Sequence, residues 1–225
     1  MAGEAHFGPD LFKFLGALAA NNRREWFLAH RDEYESSVRQ PFLGYIADFG
    51  PRLRTISRHL VADPRPVGGS LFRIHRDVRF SRDKSPYKTH AAAYFAHRGA
   101  GQDVHVPGFY LHLEPRGCFG AAGLWHPGPE ALDQVRRAII ARPAAWKKVL
   151  ARGIEIEGDS LKRAPQGLDP GHPLIEDLKR KDFVTSVSFT QAQVCGPRFL
   201  ADFTAACRRM SPLVEFVTRS LGLPW

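Results

Sequence analysis

Between Ser70 and His126 the chain carries four short runs with strand character, near residues 71–80, 90–97, 108–114 and 118–126. This feature constrains the fold most, because the links between the runs are too short for parallel crossovers, which need a dozen or more residues. The third run, GFYLHLEP, alternates Phe109, Leu111 and Leu113 against Tyr110, His112 and Glu114. That two-residue period belongs to a strand with one buried and one polar face. DFVTSVSF, near 182–189, is one further strand candidate.

Helical patterns flank this middle. Leu11, Leu15 and Leu18 recur at helical spacing, and Asn22 with Glu25 has the form of a capping box opening NRREWFLAHRDEY. Phe42, Tyr45, Ile46, Phe49, Leu53 and Ile56 trace one face of a long helix that Gly50-Pro51 is expected to kink or divide. Helices are expected again near 129–141 and 144–151, with Pro129 and Pro143 at their starts, and at PLIEDLKR. Thr190 and Gln193 form a second capping-box pair, followed by Leu200, Phe203, Cys207, Met210 and Val214 at core spacing. The expected fold is therefore α+β, with a central, mostly antiparallel sheet of about four to five strands between N-terminal and C-terminal helices. Repeats and linkers are lacking, so one domain over 1–225 is expected: helical over 9–60, strand-rich over 70–126, and helical with one more strand over 128–225.

The length of 225 residues suffices to bury a core without staples. Cys118, Cys195 and Cys207 are odd in number and lack C-x-x-C spacing, so buried, reduced thiols are expected rather than disulfides or a thiolate zinc site. The start, MAGEAHFGPD, has acidic Glu4 and no basic, apolar leader pattern, and no run reaches the roughly 20 apolar residues of a membrane helix. Cytoplasmic location, without a membrane partner, is the matching expectation.

A net charge of +9 is compatible with nucleic acid, anionic substrates or plain solubility. Its distribution is more informative. Residues 71–90 hold Arg73, Arg76, Arg79, Arg82, Lys84 and Lys88 against only Asp77 and Asp83. If 71–80 were a regular strand, Phe72, Ile74, Val78 and Phe80 would face one way and Arg73, His75, Asp77, Arg79 and Ser81 the other. Arg76 would then fall on the apolar face, which demands a bulge, a carboxylate partner or a ligand cleft, since an unpaired buried guanidinium is very costly. The next residues, SRDKSPYK, are held extended or turned by Pro86 and offer hydroxyl and ammonium donors to anionic oxygens. They are not a Walker A loop, lacking its glycines and G-K-[ST] ending.

His75, His90, His97, His105, His112 and His126 lie on or beside the candidate strands, but no H-x-H or H-E-x-x-H spacing makes them converge. No metal site is therefore read from the sequence. His112 and Glu114, two apart on one strand, share a face and form a candidate acid/base pair. Lys181 in KRKDF is a further candidate ligand-binding cation, and Asp182 could accompany it.

FRIHRDVRFSRDKSPYKTH, GFYLHLEP, AAGLWHP and DLKRKDF together resemble the bacterial and fungal group known as domain of unknown function family 2461, over roughly Leu11 to the C-terminus. The family pattern often has Tyr where this chain has His75, and Gly where it has Ala121 and Ala122, so the resemblance gives His75 no required role. It implies an α+β fold and supplies no activity, cofactor or catalytic residue.

The leading expectation is a small anionic ligand, possibly phosphorylated, held by Arg73, Arg76, Arg79, Lys84, Lys88, His90 and Lys181. Asp77, Tyr87, His112 and Glu114 are the candidates for proton transfer if the protein is an enzyme. The alternative is a nucleic-acid-binding module using the same basic stretch with tyrosines for stacking, although no recognised motif is present. A third reading has the arginines forming internal ion pairs in a structural or partner-binding domain. The residues name no cofactor and no oligomeric state.

Overall fold

A computed structural model of the chain describes residues 5–100 and 105–225; the start used to argue against a leader, Met1–Glu4, lies outside the described residues. The N-terminal helices are α1 (Pro9–Ala20), α2 (Arg24–Ala29) and α3 (Arg31–Tyr34). A π-helical turn at Glu35–Arg39 joins α3 to α4 (Gln40–Arg54) without a break. Strands β1 (Ala91–Ala96), β2 (Gly108–Glu114) and β3 (Gly117–Leu124) follow. Next come α5 (Pro129–Ala141), α6 (Pro143–Leu150), α7 (Ile175–Leu178) and β4 (Phe183–Phe189), then α8 (Gln191–Val194) and the long α9 (Phe199–Ser220).

The strands form one antiparallel sheet in the order β1-β2-β3-β4. This is the α+β architecture that the short links imply. One sheet face is the core face: Phe95, Phe109, Leu111 and Leu113 are fully buried there. Phe49 of α4 meets Phe95 at 4.7 Å between ring centroids and Phe203 of α9 at 5.1 Å. Each such phenylalanine contributes about 1.5–3 kcal/mol on burial. Gly120 lets α9 approach β3, because a Cβ there would lie 2.8 Å from the Phe203 ring. A second buried cluster gathers around Trp146, with Val135 and Ile139 of α5 and Leu213, Phe216 and Val217 of α9.

Three local expectations are corrected. Residues 71–80 are not a regular strand: only Leu71 bridges to Ala93 and His75 to Tyr87, and Phe80, expected on the apolar face, is 95% exposed. Past Ile74 the segment meets the arm's own returning limb at His75–Tyr87 rather than a strand of the sheet, so nothing among the described residues enforces alternation to Phe80. Asn22 does not cap α2, whose N-cap is Arg23; its side chain bonds elsewhere, as described below. Pro51 neither divides nor ends α4, which runs on to Arg54. The Thr190–Gln193 capping box is present, with Thr190 Oγ1 accepting from the Gln193 N–H at 3.2 Å. All three cysteines are free, Cys118 and Cys207 buried and Cys195 partly so. Among the described residues, no helix is long and apolar enough to cross a membrane.

Candidate functional site

Residues 74–88 form an irregular hairpin arm rising from the β1 edge. At its base Lys88 donates its N–H to the Ile74 carbonyl at 2.8 Å, and Arg76 donates to Pro86 at 2.9 Å. Asn22 fixes the returning limb from both sides: Tyr87 donates its N–H to Asn22 Oδ1 at 3.0 Å, and Asn22 Nδ2 donates to the Tyr87 carbonyl at 2.8 Å. The buried Tyr87 ring then stacks on Phe27 at 4.2 Å. At the tip most of the charge is spent internally. Arg79 grips Asp77 at 2.6 Å, Arg76 pairs with Asp83, and Lys84 donates to the Val78 carbonyl at 3.0 Å. Hydrogen bonds from Arg79 hold the Asp77 carboxyl down at about 2, so Asp77 is a fixed anion rather than a proton acceptor near neutrality.

Beside the arm base lies an open cleft of about 1220 Å³. Phe27, Tyr34, Ile74 and Tyr87 give it an apolar floor; Arg24, Arg31, Arg39, Arg65, Arg73 and Arg98 reach it from the walls. Among the described residues its carboxylates are Glu35 and Asp63, and both are taken: Glu35 by Arg39 at 2.7 Å and Asp63 by Arg65 at 2.6 Å. Arg39, from the π-helical turn, also donates to the Pro66 carbonyl at 3.3 Å and so ties the 63–69 loop to the helix. That loop closes because Gly69 has no side chain: a Cβ would sit 2.4 Å from the Arg65 carbonyl oxygen. Arg24, Arg31 and Arg73 have no ion pair or side-chain hydrogen bond among the described residues.

A second polar array lies on the sheet face opposite the core. Tyr110, His112 and Glu114 project there at two-residue spacing, as the alternation requires. The register pairs Ala91 with Leu113, so His90, one residue earlier, stands opposite Glu114. His90 and His112 rings are 4.4 Å apart, and His112 Nε2 lies 3.6 Å from Glu114 Oε2. His112 Nδ1 is 2.9 Å from the Tyr110 hydroxyl, and Phe119 of β3 stacks on the imidazole at 4.7 Å. Burial pushes both imidazoles down, His90 to about 4 with help from His112 and Lys88; Glu114 partly opposes the shift on His112. Lys88 lies half-buried over the Phe72 ring at 5.1 Å, its pKa also lowered by burial.

The expected site residues thus divide into separate groups. Arg73 and Tyr87 line the cleft, His90, His112 and Glu114 meet on the sheet face with Lys88 beside them, and Arg76, Asp77, Arg79 and Lys84 are engaged in the arm tip. Lys181 stands at the opposite sheet edge, 3.9 Å from Asp159. Its neighbour Asp182 is buried and accepts the backbone N–H groups of His126 at 2.7 Å and Asp159 at 3.0 Å, a structural role. Sequence reasoning missed Arg24 and Arg31. They lie on separate helices, α2 and α3, broken at His30, so helical spacing gave no signal that they share one cleft.

A family model described as "Conserved hypothetical protein (DUF2461)" matches residues 10–216. No curated protein matches the chain.

Proposed function

The chain belongs to the DUF2461 family, and we propose that it binds a small anionic molecule, phosphorylated or carboxylated, in the cleft beside the arm. One observation carries this reading: six arginines line the cleft, the carboxylates Glu35 and Asp63 beside them are already paired with Arg39 and Arg65, and among the described residues Arg24, Arg31 and Arg73 make no direct ion pair. Guanidinium forks favour planar and tetrahedral oxyanions through paired hydrogen bonds. The apolar floor of Phe27, Tyr34, Ile74 and Tyr87 suits the carbon skeleton of such a ligand, and the volume accommodates a metabolite-sized molecule. Concavity favours this reading over a nucleic-acid surface, and the internal pairing of Arg76 and Arg79 withdraws the arm tip from a backbone-tracking role.

The test is a thermal-shift panel of phosphorylated and carboxylated metabolites, run on the native protein and on Arg31→Ala and Arg73→Ala. A ligand at a hundred times its Kd adds about 2.7 kcal/mol. For a domain this size that is a rise of roughly 5–10 °C. The reading expects such a rise in the native protein and its loss in both variants. A flat response across the panel, or a strongly salt-dependent affinity for oligonucleotides in its place, would overturn it.

A further inference from the structure

We propose that His90, His112 and Glu114 form a binding site for a divalent first-row transition-metal ion of the zinc and iron(II) class. This inference concerns the polar sheet face and does not depend on the cleft reading. One nitrogen from each histidine and one carboxylate oxygen lie within 4.8 Å of one another. Donors around a tetrahedral ion with bonds near 2.05 Å are separated by about 3.3 Å. The His112–Glu114 pair, at 3.6 Å, is already within a few tenths of an ångström of that spacing. The β1–β2 register sets His90 opposite Glu114 on the same face, with a ring nitrogen within 4.8 Å of the other two ligand atoms.

The surroundings have the features that orient a metal-binding histidine. Tyr110 engages Nδ1 of His112, leaving Nε2 as the donor aimed toward Glu114. Such outer partners fix the tautomer and ring orientation of a ligating imidazole. Phe119 stacked on the ring limits its rotation further. Two imidazoles and one carboxylate suit zinc, iron, cobalt or nickel rather than magnesium or calcium, which prefer all-oxygen sets. Lys88, over the Phe72 ring, is the adjacent cation, and Glu114 supplies a negative charge to the trio. The His112 side chain is 11% exposed and that of Glu114 36%, so an ion can enter from the Glu114 side and retain water in its remaining positions.

The experiment loads the metal-stripped full chain with Co²⁺, followed by ligand-field absorption, and with Zn²⁺, followed by competition against a chromophoric chelator. The expected result is one ion per chain in the native protein. His90→Ala and His112→Ala abolish it, and Glu114→Gln, which preserves shape, does the same. Tyr110→Phe weakens binding roughly tenfold or more, the range for an outer-shell partner. His6→Ala leaves the affinity unchanged, as a control for stray histidine binding, and circular dichroism verifies the fold of each variant. Should His112→Ala fail to fold, Glu114→Gln and His90→Ala decide. Absence of a stoichiometric ion in the native protein, or native affinity in the folded variants, would overturn the proposal.

Discussion

Replacing Asn22 by Ala removes two hydrogen bonds that hold the arm to the N-terminal helices, and both end on the backbone of a residue only 4% exposed. A buried backbone group left without its partner costs about 1–3 kcal/mol. Losing both, with some relaxation of the arm toward water, predicts a destabilisation of about 2–4 kcal/mol. At about 2–4 °C per kcal/mol for a chain of this size, Tm should fall by roughly 4–16 °C. Urea unfolding followed by circular dichroism measures the free energy directly. Asn21→Ala is the internal control: its amide donates to the Ala17 carbonyl at 3.0 Å on an exposed helix end, where water can substitute. That variant should change stability by no more than about 0.5 kcal/mol. If Asn22→Ala proves no worse than Asn21→Ala, the claim that this clamp positions the arm, and with it the Tyr87 part of the cleft floor, is refuted.

Other perturbations test separate parts of the account. Asp77 should titrate near pH 2 by NMR, and Arg79→Ala should return it toward 4, because Arg79 is the main cause of the depression. Its folded pKa lies below the unfolded value, so the stability it contributes is present above pH 4 and is lost as pH falls toward 2. A midpoint near 4 in the native protein would contradict the arm-tip pairing. Gly120→Ala forces a Cβ to 2.8 Å from the Phe203 ring and should cost about 1–3 kcal/mol in urea unfolding, whereas a neutral result would mean that α9 is free to shift away from β3. Tyr45→Phe should be neutral or stabilising by about 1 kcal/mol, since the Tyr45 hydroxyl is buried without a hydrogen-bond partner among the described residues. A loss of 2 kcal/mol or more would show that this hydroxyl has a partner.

The sheet was legible because its signal is local. GFYLHLEP alternates with the strand period, and the short links leave antiparallel pairing as the available arrangement. The Tyr110–His112–Glu114 face follows from that same alternation. The addition of His90 does not, since it depends on the β1–β2 register, and 22 residues separate it from His112. The arm misled for the same physical reason: basic and apolar residues alternate in FRIHRDVRF, but alternation makes a strand only where a partner strand is available. Past Ile74 the partner is the arm's own returning limb, and the tip organises around Asp77–Arg79 and Arg76–Asp83 instead. Asn22 shows how a local motif can be outcompeted. Its amide satisfies both backbone groups of Tyr87, 65 residues away, where a helix cap would have satisfied only one N–H.

Isothermal titration of the strongest stabiliser from the metabolite panel, into the native protein and into Arg24→Ala, Arg31→Ala and Arg73→Ala, tests the central claim most directly. The cleft reading predicts one anion per chain in the native protein. It predicts affinity reduced by roughly tenfold or more in each variant, as follows from removing about 1.5–3 kcal/mol of charge-assisted hydrogen bonding. Native affinity in all three variants would place the anion elsewhere and contradict the account.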